Sequence, residues 1–231
     1  MPKATKKNFS VVDSTTKPEP TLSDRLTHTL REAIVSGELA AGSKLSEPKL
    51  AEQYQTSRGP IREAIRRMEM MQLVHHVPHE GVRVVSLDLA NMVELYHVRE
   101  ALEGKAAALA ATNMTAEAID QLGELLNLHQ QHQERTGEYM QATGDFDFHY
   151  RVIKGSNNAM LVRQLTEELY YLIRMYRQQF SLMRSRSEVA LREHEQIFRA
   201  IESRDEALAE MVMRRHIVRA RKEIENQLRN A

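Results

Sequence analysis

Three histidines lie in apolar stripes. His149 falls in the series Ala142, Phe146, Val152 and Ile153, His194 in Ala190, Leu191, Ile197, Phe198 and Ile201, and His216 in Ala209, Val212, Met213 and Ala220. At helical spacing each should point inward. Asp145 precedes His149 by four residues, which places a carboxylate and an imidazole on one helix face, where both can bind one metal ion. One core-facing histidine is ordinarily a satisfied core residue. Three of them with an inward carboxylate fit either a buried polar network or a metal site, and spacing alone leaves both open. His129 and His132, flanked by glutamines in LHQQHQ, are expected on a solvated face.

Arg99 shares an apolar stripe with Met92, Leu95, Tyr96, Leu102 and Ala106. A buried guanidinium requires an anion. The partner is either Glu103, four residues on, or the carboxylate of a bound ligand. The two are compatible if Glu103 orients Arg99.

A second concentration of chemistry lies in TSRGPIREAIRRME, residues 56–69, where Arg58, Arg62, Arg66 and Arg67 face only Glu63 before the terminal glutamate. Arg58 and Arg62 are four apart near a helix start, so both can present a fork to guanine O6 and N7 from the end of a helix that enters a major groove. Arg66 and Arg67, further along, are better placed for phosphates, as is the helix N-terminus at Ser57 and Gly59. Four arginines alone fit a solvated helix face equally well.

The elements that position these residues follow from periodicity. Residues 1–20 are Lys, Thr, Ser and Pro rich and are expected to be a disordered arm. Leu22, Leu26, Leu30, Ala33 and Ile34 mark a first helix with Gly37 near its end; Ser46 caps a short second helix with Pro48 in its first turn. Thr56 or Ser57 caps the third, whose apolar side is Ile61, Ala64, Ile65 and Met68. HHVPHEGVRVV then predicts a two-stranded hairpin with His79 and Glu80 at its tip, beside a minor groove in a nucleic-acid complex. Three helices and a hairpin make a winged helix-turn-helix over 21–86. From 87 to 231 the chain is expected to be an all-α antiparallel bundle, with helices near 88–112, 116–135, 138–154, 159–180, 188–203 and 206–229. Thr115, Ser187 and Asp205 are the candidate N-caps and Gly155 a C-terminal stop.

Composition sets the limits. With 32 Lys+Arg against 32 Asp+Glu, no overall basic excess points to nucleic acid. No cysteine is present, so disulfides and thiolate metal sites are excluded. No run approaches the roughly 18 apolar residues of a membrane span, and a soluble cytoplasmic protein is expected.

With these residues in view, the sequence resembles the GntR family of bacterial transcription regulators, in the FadR-like subgroup with an all-helical FCD effector domain. The resemblance covers roughly residues 22–228. SGELAAGSKLSEPKLAEQYQTSRGPIREAIRRMEMMQLVHHVPHEGVRVV looks like the DNA-binding signature; YHVREALEGKAAALAA, DFDFH, EHEQIFRAIESRD and RRHI resemble the effector-domain motifs. The resemblance implies that Asp145, His149, His194 and His216 ligate a divalent metal, zinc foremost, with nickel or manganese as alternatives. It further implies a homodimer on a palindromic operator, responding to a small organic acid whose carboxylate approaches the metal and Arg99. A di- or tricarboxylate is the expected class, and repression the expected mode.

Asn158 matches a family asparagine, as a helix-entry residue first and a pocket donor second. Pro48 stands where many relatives carry a DNA-contacting arginine; Lys49 is adjacent but points elsewhere on the helix. Two rival readings remain. A metal-dependent enzyme would use the same four ligands to activate water, but no separate inward Glu or His stands at a motif position as general base. A DNA-binding protein with a purely structural metal is the other.

Overall fold

A computed structural model of the chain describes residues 19–137, 147–179 and 187–230. Most of the expected N-terminal arm, residues 1–18, lies outside them, as does Asp145.

Helix α1 (Leu22–Ser36) starts with a reciprocal cap. The Thr21 hydroxyl accepts the Asp24 N–H at 3.2 Å, and the Asp24 carboxylate accepts the Thr21 N–H at 2.7 Å. Gly37 closes it in the left-handed region, at φ 85°. Helices α2 (Glu47–Gln53) and α3 (Arg58–Met70) begin after Ser46 and Ser57; neither hydroxyl makes a capping hydrogen bond, although both residues stand at the cap position. Strands β2 (Val74–Val77) and β3 (Gly81–Val84) form the expected antiparallel hairpin, with Val74 opposite Val84 and Val77 opposite Gly81. A two-residue strand, β1 (Lys44–Leu45), pairs with β3 as well, making a sheet of order β1-β3-β2 rather than the two-stranded hairpin expected. Two residues carry no readable alternation, which is why β1 escaped the sequence.

The rest of the described residues are mainly helical. Helices α4 (Leu89–Asn113) and α10 (Glu206–Asn230) pack along one another, α5 (Ala116–Thr136) packs on α9 (Ser187–Glu202), and α6 (Phe148–Gly155) lies on α4. Helix α4 carries a run of buried small residues, Gly104, Ala106, Ala107, Ala108, Ala110 and Ala111, and Gly104 lies against Arg214 of α10. A Cβ on Gly104 would stand 2.5 Å from Arg214 Cγ, so a side chain there would have to displace the Arg214 side chain or the helix beneath it. The Thr115 hydroxyl accepts the Ala118 N–H, and the Asp205 carboxylate accepts the Leu208 N–H, so both act as caps. No helix among the described residues is long and apolar enough to cross a membrane.

Two expected helices differ. Of the helix drawn over 138–154, residues 138–146 lie outside the described residues; Asp147 has extended backbone (φ −96°, ψ 123°) and its carboxylate accepts the N–H groups of His149 and Tyr150, so α6 starts at Phe148. The helix drawn over 159–180 divides into α7 (Ala159–Arg163), a π-helical turn (Gln164–Glu168) and α8 (Tyr170–Gln179). Within it the Leu169 N–H reaches back five residues to the Gln164 carbonyl. No glycine or proline marks this wider turn.

Two principal cores result. Leu30, Ile34, Ile61, Met68, Leu73 and Val84 lead the N-terminal one; Met92, Tyr96, Leu122, Val152, Ile197 and Met213 belong to the larger helical one. Met175, on α8, is wholly buried in the N-terminal core, although its neighbours Ile173 and Tyr176 belong to the helical core. Met175→Ala should therefore destabilise the N-terminal half by about 2–5 kcal/mol. Urea unfolding followed by amide exchange in α1 and α3 tests this; a loss confined to the helical half would contradict it.

Candidate metal centre and nucleic-acid face

The three inward histidines meet. His149 comes from the first turn of α6, His194 from α9 and His216 from α10, and all three are buried. The Nε2 atom of His194 lies 3.1 Å from Nε2 of His149 and 3.3 Å from Nε2 of His216. Phe148 stacks on the His194 ring at 4.4 Å and holds its plane.

The outer nitrogens are fixed by carboxylates. His149 Nδ1 lies 2.6 Å from Glu103 Oε2, and His216 Nδ1 lies 2.7 Å from Glu193 Oε2. An ionised carboxylate only accepts, so each Nδ1 carries the proton, and in the neutral ring each Nε2 is left with a lone pair. Both lone pairs converge on His194 Nε2, whose single N–H satisfies one acceptor well at most. Burial, then the neighbouring His216 and His149, push the His194 pKa well below its ordinary value, so that ring is neutral. Three imidazoles with converging Nε2 atoms form a donor set for a divalent cation. Metal–nitrogen bonds of about 2.0–2.1 Å place neighbouring ligand nitrogens about 2.9–3.4 Å apart, which matches the separations here.

The carboxylates are anchored in turn. Burial would raise the Glu103 carboxyl, but Arg99 and His149 hold it well below the usual range. Arg99 donates its Nε–H to Glu103 Oε1 at 2.6 Å, and both side chains are buried. Burial opposes the Arg99 charge and Glu103 more than restores it. Glu193 accepts from Arg219 at 3.0 Å.

On the other half, α3 exposes Arg58, which has no hydrogen-bond partner among the described residues. Arg62 donates from Nε and Nη2 to the two oxygens of Glu47 on α2, at 3.3 and 3.0 Å. Arg66 makes a bidentate pair with Glu63, at 3.0 Å for each bond. Arg67 reaches Glu63 and also Asp24 of α1, in the joint between the two helices. Hydrogen bonds from Arg66 and Arg67 lower the Glu63 carboxyl to about 2. Lys49 and His79 are exposed, the latter at the hairpin tip with φ 64°. Gly59 has open space around it: an added Cβ would meet only the Ser57 hydroxyl, at 3.9 Å.

The FCD domain model matches residues 94–219, more than half of the chain, and the model of the GntR family of bacterial regulatory proteins matches residues 22–84. The chain belongs to the GntR family. It is similar to a probable D-xylose utilization operon transcriptional repressor of Paenarthrobacter nicotinovorans, 30% identical over 187 residues and 80% of each chain. It is also similar to the HTH-type transcriptional repressor RspR of Escherichia coli strain K12, 27% identical over 210 residues, which cover 89% of this chain and 90% of the relative. The solved structure of E. coli McbR/YncC has the same fold, with a TM-score of 0.70 at 22% identity over 90% of this chain and 99% of the other. This GntR protein is thus a DNA-binding transcriptional regulator and not an enzyme.

Other site residues sort as follows. Asn158 is exposed, and its side-chain oxygen accepts the N–H groups of Met160 and Leu161 as the cap of α7. That is the helix-entry role, and it lies apart from the histidines. Asp145 falls outside the described residues. His129, expected on a solvated face, is fully buried on the side of α5 that carries Leu122, Leu125 and Leu126. Its glutamine neighbours masked that three- and four-residue spacing. Glu193 went unread because the adjacent histidine drew the motif; its spacing of four from Ile197 was the available signal. Glu103 is the partner expected for Arg99, with its bond to His149 an addition, while Glu193 was not read; both carboxylates are engaged by an imidazole and an arginine.

Glu103→Gln would leave Arg99 buried beside a neutral amide. Removing one partner of a buried pair typically destabilises by about 3–5 kcal/mol, and a loss of that order is expected in chemical denaturation of the metal-free regulator. A change below about 1 kcal/mol, the range of an exposed pair, would show that Glu103 does not carry the Arg99 charge.

Proposed function

We propose that this regulator is a homodimeric repressor of a metabolic operon, acting in the cytoplasm, whose affinity for a palindromic operator responds to a small organic acid in the helical half. The single observation carrying the proposal is the convergence of three Nε2 atoms, two of them on rings aimed by buried carboxylates. His149, His194 and His216, with Asp145 by family resemblance, hold a divalent ion, zinc foremost, with nickel or manganese chemically acceptable. Bound there, the ion offers positive charge to an oxygen ligand. Arg99, kept charged in the interior by Glu103, stands on the same network to meet a carboxylate. A di- or tricarboxylate fits two cationic partners, and the repressors among the relatives support repression as the mode.

Metal analysis separates the parts of this reading. His194→Ala should lose bound metal in elemental analysis, and full retention would remove it from the ligand set. Glu193→Gln, which no longer fixes the His216 tautomer, should weaken metal affinity roughly 10- to 100-fold in chelator competition. If metal-loaded protein titrated with small di- and tricarboxylates shows neither binding nor altered operator affinity, the metal is structural and the effector reading falls.

At the DNA end, Arg58 and Arg62 read base edges while Ser57, Gly59 and Arg66 meet the backbone, and Lys49, Arg67 and the His79 tip approach the flanking phosphates. Gly59 supports this: the protein itself does not need its lack of a side chain, whereas close approach to phosphate does. Glu47 grips the Nε edge of Arg62 and leaves its other edge to fork a guanine. With operator chosen from randomised duplexes, Arg62→Ala should lose about 1–3 kcal/mol of discrimination at one position. Arg66→Ala should instead weaken all sequences alike and lower the salt slope by about 1. Unchanged preference in Arg62→Ala would cancel the base-contact assignment.

A further inference from the structure

Helix α8 belongs to both halves of the molecule. On one side Met175 completes the N-terminal core, Arg174 grips Glu32 of α1 through two bonds of 3.2 Å, and the Arg31 guanidinium lies 4.0 Å over the Tyr171 ring. On the other side Ile173 and Tyr176 pack in the helical core, and Arg177 donates to Asp147 Oδ2 at 2.9 Å. Asp147 is almost wholly buried, and its second oxygen, Oδ1, accepts the backbone N–H of His149 at 2.9 Å. One carboxylate thus joins the first turn of α6, which carries a histidine of the cluster, to the helix that anchors α1.

Among the described residues, α1 on α8 is the extensive contact between the halves. Beside that contact a groove of about 620 Å³ lies between them, lined by Gln72 and His75 on one bank and by Asn91, Glu94 and Tyr176 on the other. A displacement of α6 reaches α8 through a charge-assisted hydrogen bond, which is shorter and stronger than a neutral one. It reaches α1 through a close-packed core that deforms little. The groove leaves the N-terminal half room to turn.

We infer that α8 is the strut through which the histidine cluster acts on the DNA-binding half, with Asp147–Arg177 as its joint at the cluster and Arg174–Glu32 as its joint at α1. Asp147 and Arg177 are positioning residues in this scheme. The inference rests on the metal reading above, so its test uses zinc alone on the full chain, with amide hydrogen exchange as the readout.

Adding zinc to chelator-stripped wild-type protein should slow exchange in α6 and α9, and also in α1, by a factor corresponding to the roughly 5- to 150-fold range of allosteric coupling. In Arg177→Ala, zinc should still protect α6 and α9 while α1 exchanges as in the metal-free protein; Arg177→Lys should restore part of the α1 response. Glu32→Gln, remote from the histidines, should lose the α1 response while keeping that of α8, and it serves where Arg177→Ala does not fold. Protection of α6 without any change in wild-type α1, or full transmission in either Arg177→Ala or Glu32→Gln, would overturn the strut and leave the metal reading standing. No zinc-dependent protection anywhere would sink both.

Discussion

The helical half depends on one chain of buried charge. It runs from Arg99 through Glu103 to His149, meets His194, and leaves through His216 and Glu193 to Arg219. Each carboxylate lies between an arginine and an imidazole, so neither is buried unpaired. An ionised carboxylate or guanidinium taken from water without a partner costs far more than one side chain's packing returns. The helices that supply the chain, α4, α6, α9 and α10, therefore have little freedom in register. Displacing α4 along its axis by one turn would bring a different residue to His149. Gly104, beside Glu103, lets α10 approach closely enough for His216 to arrive.

The same constraint links the halves. Asp147 is buried because it caps α6, and a buried aspartate needs a cation; Arg177 supplies it, and Arg177 commits α8 to its place. Burial opposes ionisation of Asp147, but Arg177 and His149 hold its carboxyl below the ordinary value. Once α8 is fixed in the bundle, Met175 and Arg174 on its other side form part of the surface on which α1 packs. The N-terminal half is thus completed by a residue of the helical half, which is why motion in one can bias the other.

Much of this was legible in sequence, because long apolar stripes and side-chain caps are local signals. The stripes of α1, α3, α4 and α5, the caps Thr115 and Asp205, and the inward turn of His149, His194 and His216 all follow from spacing of three and four. The helix start at Asp147 was also a local signal, a capping aspartate, but the apolar series through Phe146 and Val152 ran across it and suggested one helix through that point. The π-helical turn before α8 carries no signature, since its extra residue is accommodated by tertiary packing of Leu165 and Thr166. Strand β1 exists because β3 offers an edge, and His129 was hidden by polar neighbours that face the other way. Glu193 needed a partner on another helix, which periodicity on its own helix cannot name.

The charge balance that conceals the recognition helix has a physical reading. Three of the four arginines of α3 are paired with Glu47, Glu63 or Asp24, so the face is nearly neutral by count while remaining rich in guanidinium forks. Exposed pairs of this kind are screened by water and contribute little, so they hold side chains in place without competing seriously with phosphate or guanine. Arg62 illustrates the point. Glu47 engages Nε and one terminal nitrogen, which orients the planar fork while another edge stays open. In the proposed DNA contact, a guanidinium oriented beforehand would lose less rotamer freedom than a free one, and that saving would go to discrimination between bases. Arg58, without a hydrogen-bond partner among the described residues, would have to be ordered by the groove itself. The two forks at the start of α3 thus differ in kind, one preset by its neighbour on α2 and one not held by any other described side chain.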